Sequence, residues 1–194
     1  MRRAPAVRGA APLSAHTELQ AAALAFTDRR TRGTILSGNG GDGADASLRL
    51  VHNGAWAWQA LAYVQARKFH SRFVSVNAAR DSVSQTVDQF NVPSTGLGAR
   101  VEVRPPLGDE IELRIGTDYR RTIGETREFF AYVNGLPTRA REAGGNSHTL
   151  GLFAEASGRL GALTLTGGAR IDRWSIQDGR LLERTLATGA PIRN

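Results

Sequence analysis

Apolar and charged residues alternate one by one along several segments of this chain. The clearest segment runs from Ile111 to Arg120, where one set of alternate positions is apolar or aromatic and the other set is charged or glycine. A repeat of two residues is the period of a pleated strand, whereas a helix would scatter the same residues around its circumference. The pattern therefore predicts a β-strand with one apolar face and one charged face.

Six further segments carry the same alternation, and each predicts a strand. They lie at about 18–28, 46–52, 56–67, 98–104, 150–156 and 163–173. The sequence thus predicts an all-β fold, an antiparallel up-and-down meander of about seven long strands.

The segments between these strands alternate in length. Asn53-Gly54 predicts a type I′ hairpin turn, and 105–109 and 157–161 contain the proline and glycine typical of compact turns. The other three connections are long and polar, at roughly 29–43, 69–95 and 122–146, and are predicted to be loops. Tight turns at one end and long loops at the other are typical of outer-membrane barrels. The meander is therefore interpreted as a segment of a transmembrane β-barrel, with periplasmic turns and extracellular loops.

Aromatic residues at the predicted strand ends agree with this interpretation. Trp56 and Trp58 follow a tight turn, and Tyr119 and Trp174 lie towards the opposite ends of their strands. Barrels carry such aromatic girdles at both membrane interfaces. A soluble β-sandwich would also show alternation, but its strands are usually shorter and its core faces bulkier.

Composition narrows the function classes. The net charge is +7, and Lys68 is the only lysine among 25 basic residues. The arginines alternate with acids instead of forming a basic block, which argues against nucleic-acid binding. Cysteine is absent and the four histidines show no ligand spacing, so neither a metal nor a cofactor is predicted.

No enzyme activity is predicted either, because no nucleophile–base pair stands out in the sequence. The glycine-rich segment 37–43 has neither the Lys-Ser/Thr of a P-loop nor EF-hand spacing. It is predicted to be a mobile loop.

The N-terminal segment differs from the rest. Residues 1–16 are basic and rich in alanine and proline, without the apolar core of a secretory signal. They are expected to be disordered and to lie outside the barrel, which is assigned to residues 17–194.

Five stretches, considered in order, resemble the barrel of TonB-dependent outer-membrane receptors over roughly residues 17–190. They are DRRTRGT (28–34), SRFVSVN (71–77), DQFNVPSTGLG (88–98), GTDYRRTIGETRE (116–128) and GGARIDRW (167–174). The resemblance implies a bacterial outer-membrane location and active import of a small ligand, such as a ferric siderophore, cobalamin, haem or a carbohydrate. It also implies contact with membrane lipid, and coupling to the TonB complex through N-terminal parts.

The sequence departs from that family pattern. It has no plug domain and no coupling motif. Seven strands also cannot close even the smallest known class of membrane barrel, which has about eight strands. The chain is therefore expected to be a fragment that does not transport on its own. The alternative is a soluble or surface β-sheet interaction module.

Two sets of candidate site residues follow. Charged residues that share one strand face are predicted to face the barrel lumen: Arg100, Glu102, Glu112, Arg114, Asp118, Arg120, Glu155, Arg170 and Asp172. Aromatic residues and arginines of the predicted extracellular loops are candidates for ligand contact, since arginine forks suit anionic ligands: Phe69, Arg72, Phe73, Phe90, Arg127, Phe129, Phe130, Tyr132, Arg139 and Arg141.

Overall fold

A computed structural model describes residues 2–193 and contains a single antiparallel sheet. Its ten strands are β1 (Arg2–Arg3), β2 (Ala6–Pro12), β3 (Thr17–Thr31), β4 (Gly38–Asn53), β5 (Ala57–Val76), β6 (Val83–Arg104), β7 (Ile111–Val133), β8 (Leu136–Leu160), β9 (Leu163–Thr185) and β10 (Pro191–Arg193). Residue 1, which begins the predicted N-terminal segment 1–16, and residue 194, which ends the predicted barrel segment 17–194, lie outside the described residues.

The predicted meander is confirmed. Strands β3 to β9 are the seven long ones, and each pairs with the next along the chain. The short strands β1 and β2 both pair with β3, while β10 pairs with the end of β9. The sheet does not close on itself, so it forms part of a barrel wall.

The prediction of three long loops at 29–43, 69–95 and 122–146 is wrong. Most of each segment is strand, and the actual connections are 32–37, 77–82 and 134–135. The reason is chemical: both faces of these strand extensions mix polar, small and aromatic residues, so no apolar period marks them. Cross-strand pairs such as Glu128 and Arg141 stabilise them instead.

The predicted type I′ turn at Asn53-Gly54 is also wrong. β4 continues to Asn53, and a three-residue connection of bends leads to Ala57, with no positive φ at either predicted residue. The I′ geometry lies at the other Asn-Gly pair, Asn134 (φ 50°) and Gly135 (φ 79°), at the tip of the β7–β8 hairpin.

The N-terminal segment, which was expected to be disordered, contains the short strands β1 and β2. β2 pairs with β3 over seven consecutive residues, from Ala6 opposite Leu24 to Pro12 opposite Glu18. Its alanines and glycine present no side-chain alternation, and Val7, Arg8 and Gly9 pair with three consecutive alanines of β3. The wall therefore begins upstream of the predicted boundary at residue 17.

The two faces of the sheet differ in an unusual way. On the apolar face, Leu152 is 55% and Ile171 is 70% exposed, whereas Glu102 and Asp118 on the charged face are only 3% and 4% exposed. Ala140 is the one hydrophobic residue that is buried between residues 2 and 193. This is the reverse of a soluble protein, in which apolar side chains form the core. The same residues include no helix long and apolar enough to cross a membrane.

Candidate functional site: the charged face

All nine residues predicted to face the lumen lie on the charged face. Cross-strand partners lie side by side on the same face. The register places Arg100 opposite Asp118, and Arg114 opposite Glu155. Every one of the nine takes part in an ion pair.

Glu102 is the centre of the first group of ion pairs. Its carboxylate accepts hydrogen bonds from Arg100 at 3.0 Å and from Arg104 at 3.1 Å. Arg104 lies 3.6 Å from Glu112, which pairs at 2.8 Å with Arg114. Charge thus alternates in sign along the wall, and the nearly buried Glu102 carboxylate is compensated by two cations.

Asp118 is the centre of the second group. Arg170 donates to it at 2.6 Å and to Asp172 at 2.8 Å, and Arg120 lies 3.5 Å from Asp118. Asp118 is nearly buried while Arg120 is largely solvent-exposed. Arg170 is therefore the partner that matters most for the Asp118 charge.

Aromatic rings on the charged face lie over glycines of the neighbouring strand. The cross-strand pairs are Phe26–Gly43, Tyr63–Gly98 and Phe153–Gly116. At Gly116, an added Cβ would collide with the Phe153 ring and with the Val101 carbonyl oxygen. The glycine lets the ring lie flat on the wall, where the Arg100 guanidinium covers it at 4.4 Å.

A second cluster lies on the charged face beyond the apolar band, around Glu128. Arg141 pairs with Glu128 at 2.7 Å and covers the Phe130 ring at 4.6 Å. Gln89 donates to Glu128 at 3.2 Å, and Gln85 donates to the Tyr132 hydroxyl at 3.0 Å. The cluster therefore combines aromatic faces, amides and ionised groups.

Burial, together with the negative charge of Asp88, raises the pKa of the Tyr132 phenol above its usual value. Tyr132 therefore remains a neutral hydroxyl that can both donate and accept hydrogen bonds over the whole physiological range.

The structure divides the predicted ligand contacts between two faces. Phe73, Val87, Phe130 and Arg139 form one cross-strand row on the charged face. Phe69, Tyr132 and Arg141 share that face by strand parity. These residues had been predicted to lie in loops, but each of them lies on a strand extension.

The remaining candidates lie on the opposite face. Arg72, Asp88 and Phe129 form a row there, and Phe90 stacks on Phe129 with ring centroids 4.6 Å apart. Arg127 shares that face and pairs with Glu125, which lowers the pKa of Glu125. These side chains point away from the charged face.

Trp174 also differs from its prediction. It pairs with Thr149, next to the pair formed by Gly151 and Asp172, so strand parity places it on the charged face. It therefore does not belong to a girdle on the apolar face. Trp58 and Tyr119 do lie on that face, where Trp58 stacks against His52 at 5.7 Å.

Some charged-face residues were missed by the sequence reasoning. Arg49 donates to Gln59, and Arg67 pairs with Asp45 at 2.6 Å and covers the Phe26 ring at 5.1 Å. The alternation of Asp45, Ser47 and Arg49 was the available signal. No three His, Asp or Glu side chains in the described part of the chain come together in an arrangement for a metal ion.

The inverted burial and the continuous antiparallel wall define the class of a transmembrane β-barrel segment. The family profile described as TonB dependent receptor-like, beta-barrel matches residues 6–190. The chain therefore belongs to the TonB-dependent receptor β-barrel family.

Solved structures share the fold. The ferripyoverdine receptor of the Pseudomonas aeruginosa outer membrane bound to ferripyoverdine matches with TM-score 0.70 and 13% identity, over 95% of this chain and 33% of that chain. The same receptor, FpvA, with heterologous pyoverdines gives TM-score 0.71 at 13% identity, with the same two coverages.

The ferric yersiniabactin uptake receptor FyuA from Yersinia pestis gives TM-score 0.69 at 15% identity, over 98% of this chain and 32% of that chain. The chain thus spans about a third of the length of these receptors. A search of curated protein sequences finds no match.

Proposed function

We propose that this chain forms part of the wall of an outer-membrane receptor that imports a small ligand, such as a ferric siderophore, into the periplasm. The inverted burial carries the proposal. An exposed apolar face suits contact with lipid, and a nearly buried, ion-paired face suits a polar lumen. Similarity to receptors whose names specify ferripyoverdine and ferric yersiniabactin supports a ferric siderophore as the ligand class.

The orientation follows from the strand extensions. On β7 the apolar face runs from Ile111 to Tyr119, about the length that a tilted spanning strand needs, and the strand then continues to Val133. Barrels carry their longer extensions outside the cell. The Glu128 cluster would then stand at the extracellular mouth, and the 105–110 turn would be periplasmic. Coupling to TonB would use other parts of the complete protein.

The ligand would contact the row of Phe73, Phe130 and Arg139. Two aromatic rings and a guanidinium suit a planar anionic chelate group, because arginine donates in a fork and aromatic faces stack. The Arg139 side chain is held by Glu183 at 3.2 Å, so it is positioned before a ligand arrives.

The first test is fractionation of the complete gene product. We expect it in the outer membrane, with the slower gel migration after boiling that marks a folded barrel. A product that is soluble without detergent would contradict the proposal and favour the interaction module.

The second test compares Arg139→Gln with Arg184→Gln. Arg184 lies one row away on the opposite face, beside Ala140. Against a panel of ferric siderophores, we expect Arg139→Gln to weaken binding of the recognised ligand on the order of tenfold, and Arg184→Gln to leave it unchanged. Equal effects of both variants would contradict the assignment of the charged face.

A further inference from the structure

Two arginines mark the border of the apolar face that lies towards the strand extensions. Arg121 on β7 pairs with Leu97 and His148, and Arg173 on β9 pairs with Leu150. Their rows therefore belong to the apolar face, next to Tyr119. Both residues sit where a continuous run of apolar positions ends.

Neither arginine has an ionic partner among residues 2–193. Arg121 is half-buried, and its Nε is buried without a hydrogen-bond partner. Arg173 is exposed and forms no ion pair. The contrast with the charged face is sharp, because Arg100, Arg104, Arg114, Arg120 and Arg170 each have a carboxylate within 4 Å. Two uncompensated cations on an apolar face call for an external anion.

The tilt of barrel strands places the two arginines at one height. When strands about 4.8 Å apart tilt by about 40°, residues at the same height in the membrane are offset along the chain by about one residue per strand. Arg173 lies two strands from Arg121 and one two-residue row lower, as this offset requires. The lower border of the apolar face shifts in the same direction. On β5 this border lies at Trp58, and on β7 it lies at Ile111, two rows below the row that contains Trp58.

A fixed polar group lies between the arginines. The Tyr119 hydroxyl is 2.7 Å from His148 Nδ1, and His148 Nε2 is 2.6 Å from Asn146 Oδ1. The Asn146 amide in turn donates to Asp178. Both ring nitrogens of His148 are therefore occupied, which leaves the two guanidinium groups as the donors for an anion.

We propose that Arg121 and Arg173 bind the phosphate of a lipid headgroup in the outer leaflet, an inference that rests on the proposed function. Their Cα atoms are about 12 Å apart from strand spacing and rise, so their side chains can approach one headgroup from both sides. Guanidinium forks match phosphate geometry. The exposed Leu150, Leu152 and Ile171 lie directly below, where acyl chains would pack.

The test uses the complete receptor, purified in a neutral detergent and stripped of lipid. Native mass spectrometry would measure binding of lipid A with its two phosphates, and of dephosphorylated lipid A. We expect the phosphorylated lipid to bind the wild type and Arg184→Gln equally. Arg184→Gln is the control because it removes a cation from the same face, far beyond the border. Binding should fall on the order of tenfold in Arg121→Gln and further in Arg121→Gln/Arg173→Gln.

Three results would overturn the proposal: unchanged binding in the double variant, equal binding of dephosphorylated lipid A, or full displacement by millimolar inorganic phosphate. The last result would indicate a site for free phosphate. The double variant should still reach the outer membrane and bind its imported ligand. Loss of lipid binding in a double variant that still imports its ligand supports the lipid site independently. Absence of the wild-type receptor from the outer membrane would instead contradict the proposed function.

Discussion

Asp118 illustrates how single residues hold the charged face together. It is 4% exposed, and its two arginine partners differ in depth, since Arg170 is about half as exposed as Arg120. A nearly buried carboxylate that loses its main partner retains an uncompensated charge, which is more costly than losing an exposed pair.

Arg170→Met should therefore destabilise the receptor more than Arg120→Met. We expect Arg170→Met to lower the midpoint of thermal unfolding clearly and Arg120→Met to leave it nearly unchanged. The thermal midpoint of the gel-mobility change would measure the difference. Asp118→Asn combined with Arg170→Met should recover part of the loss, because the orphaned charge is gone. Equal midpoints for the two single variants would be inconsistent with this account.

Tyr132 should titrate late. Burial and the Asp88 charge raise its pKa above 10.0, so the folded state favours the neutral phenol. The resulting stabilisation is complete below pH 10 and is lost as pH rises through the folded-state pKa. The absorbance at 295 nm of the wild type minus that of Tyr132→Phe would isolate this phenol. A midpoint at or below 10 would refute the prediction.

The hairpin extensions are elements without an apolar face. β7 and β8 remain paired from the apolar band to Asn134-Gly135, through cross-strand partners such as Glu128 and Arg141. Their stability depends on cross-strand pairs and on the geometry of the turn, because neither face there is buried by another layer.

Gly135→Ala should therefore loosen the tip of the β7–β8 hairpin. Gly135 has a φ of 79°, which a residue with a Cβ adopts at a cost of about 1 kcal/mol. Gly158→Ala is the matched control, since both sites have open space for a Cβ but only Gly135 has a positive φ. Hydrogen exchange of residues 128–141 should accelerate about fivefold in Gly135→Ala only. Unchanged exchange would show that the turn does not limit the hairpin.

The sequence predicted those parts of each strand that have one apolar face and one charged face. Alternation placed the nine charged residues on one common face and the start of β7 at Ile111, because the opposite face carries an apolar residue at every second position. Beyond the band both faces mix polar and aromatic residues, so β5, β6 and β8 were predicted too short. Register across strands, which divided Phe130 from Phe129, depends on long-range pairing that local patterns do not encode.

At the scale of the whole molecule, the sheet has two open edges. In the described part of the chain, β9 from Leu163 to Leu182 has no strand on its outer side, and β2 pairs only with β3. Unpaired backbone groups are costly in lipid and promote edge-to-edge association in water. The wall therefore requires neighbouring strands to complete it.

Residues 1–194 produced alone should consequently fail to form a stable barrel. In detergent we expect aggregates without the slower gel migration after boiling, because the edges would pair with other copies. Size-exclusion chromatography coupled to light scattering would measure the state. A folded, heat-modifiable monomer would show that the edges can be satisfied within the chain itself.

The strict parity of the wall also limits how its length can change over time. Inserting or deleting one residue between Ile111 and Arg120 would move Asp118 to the apolar face and Ile115 to the charged face, together with every residue that follows on the strand. Near the 134–135 connection both faces are hydrated, so the same change has little consequence. Length variation among relatives should therefore concentrate at the hairpin tips, and the spanning part should diverge by substitution alone.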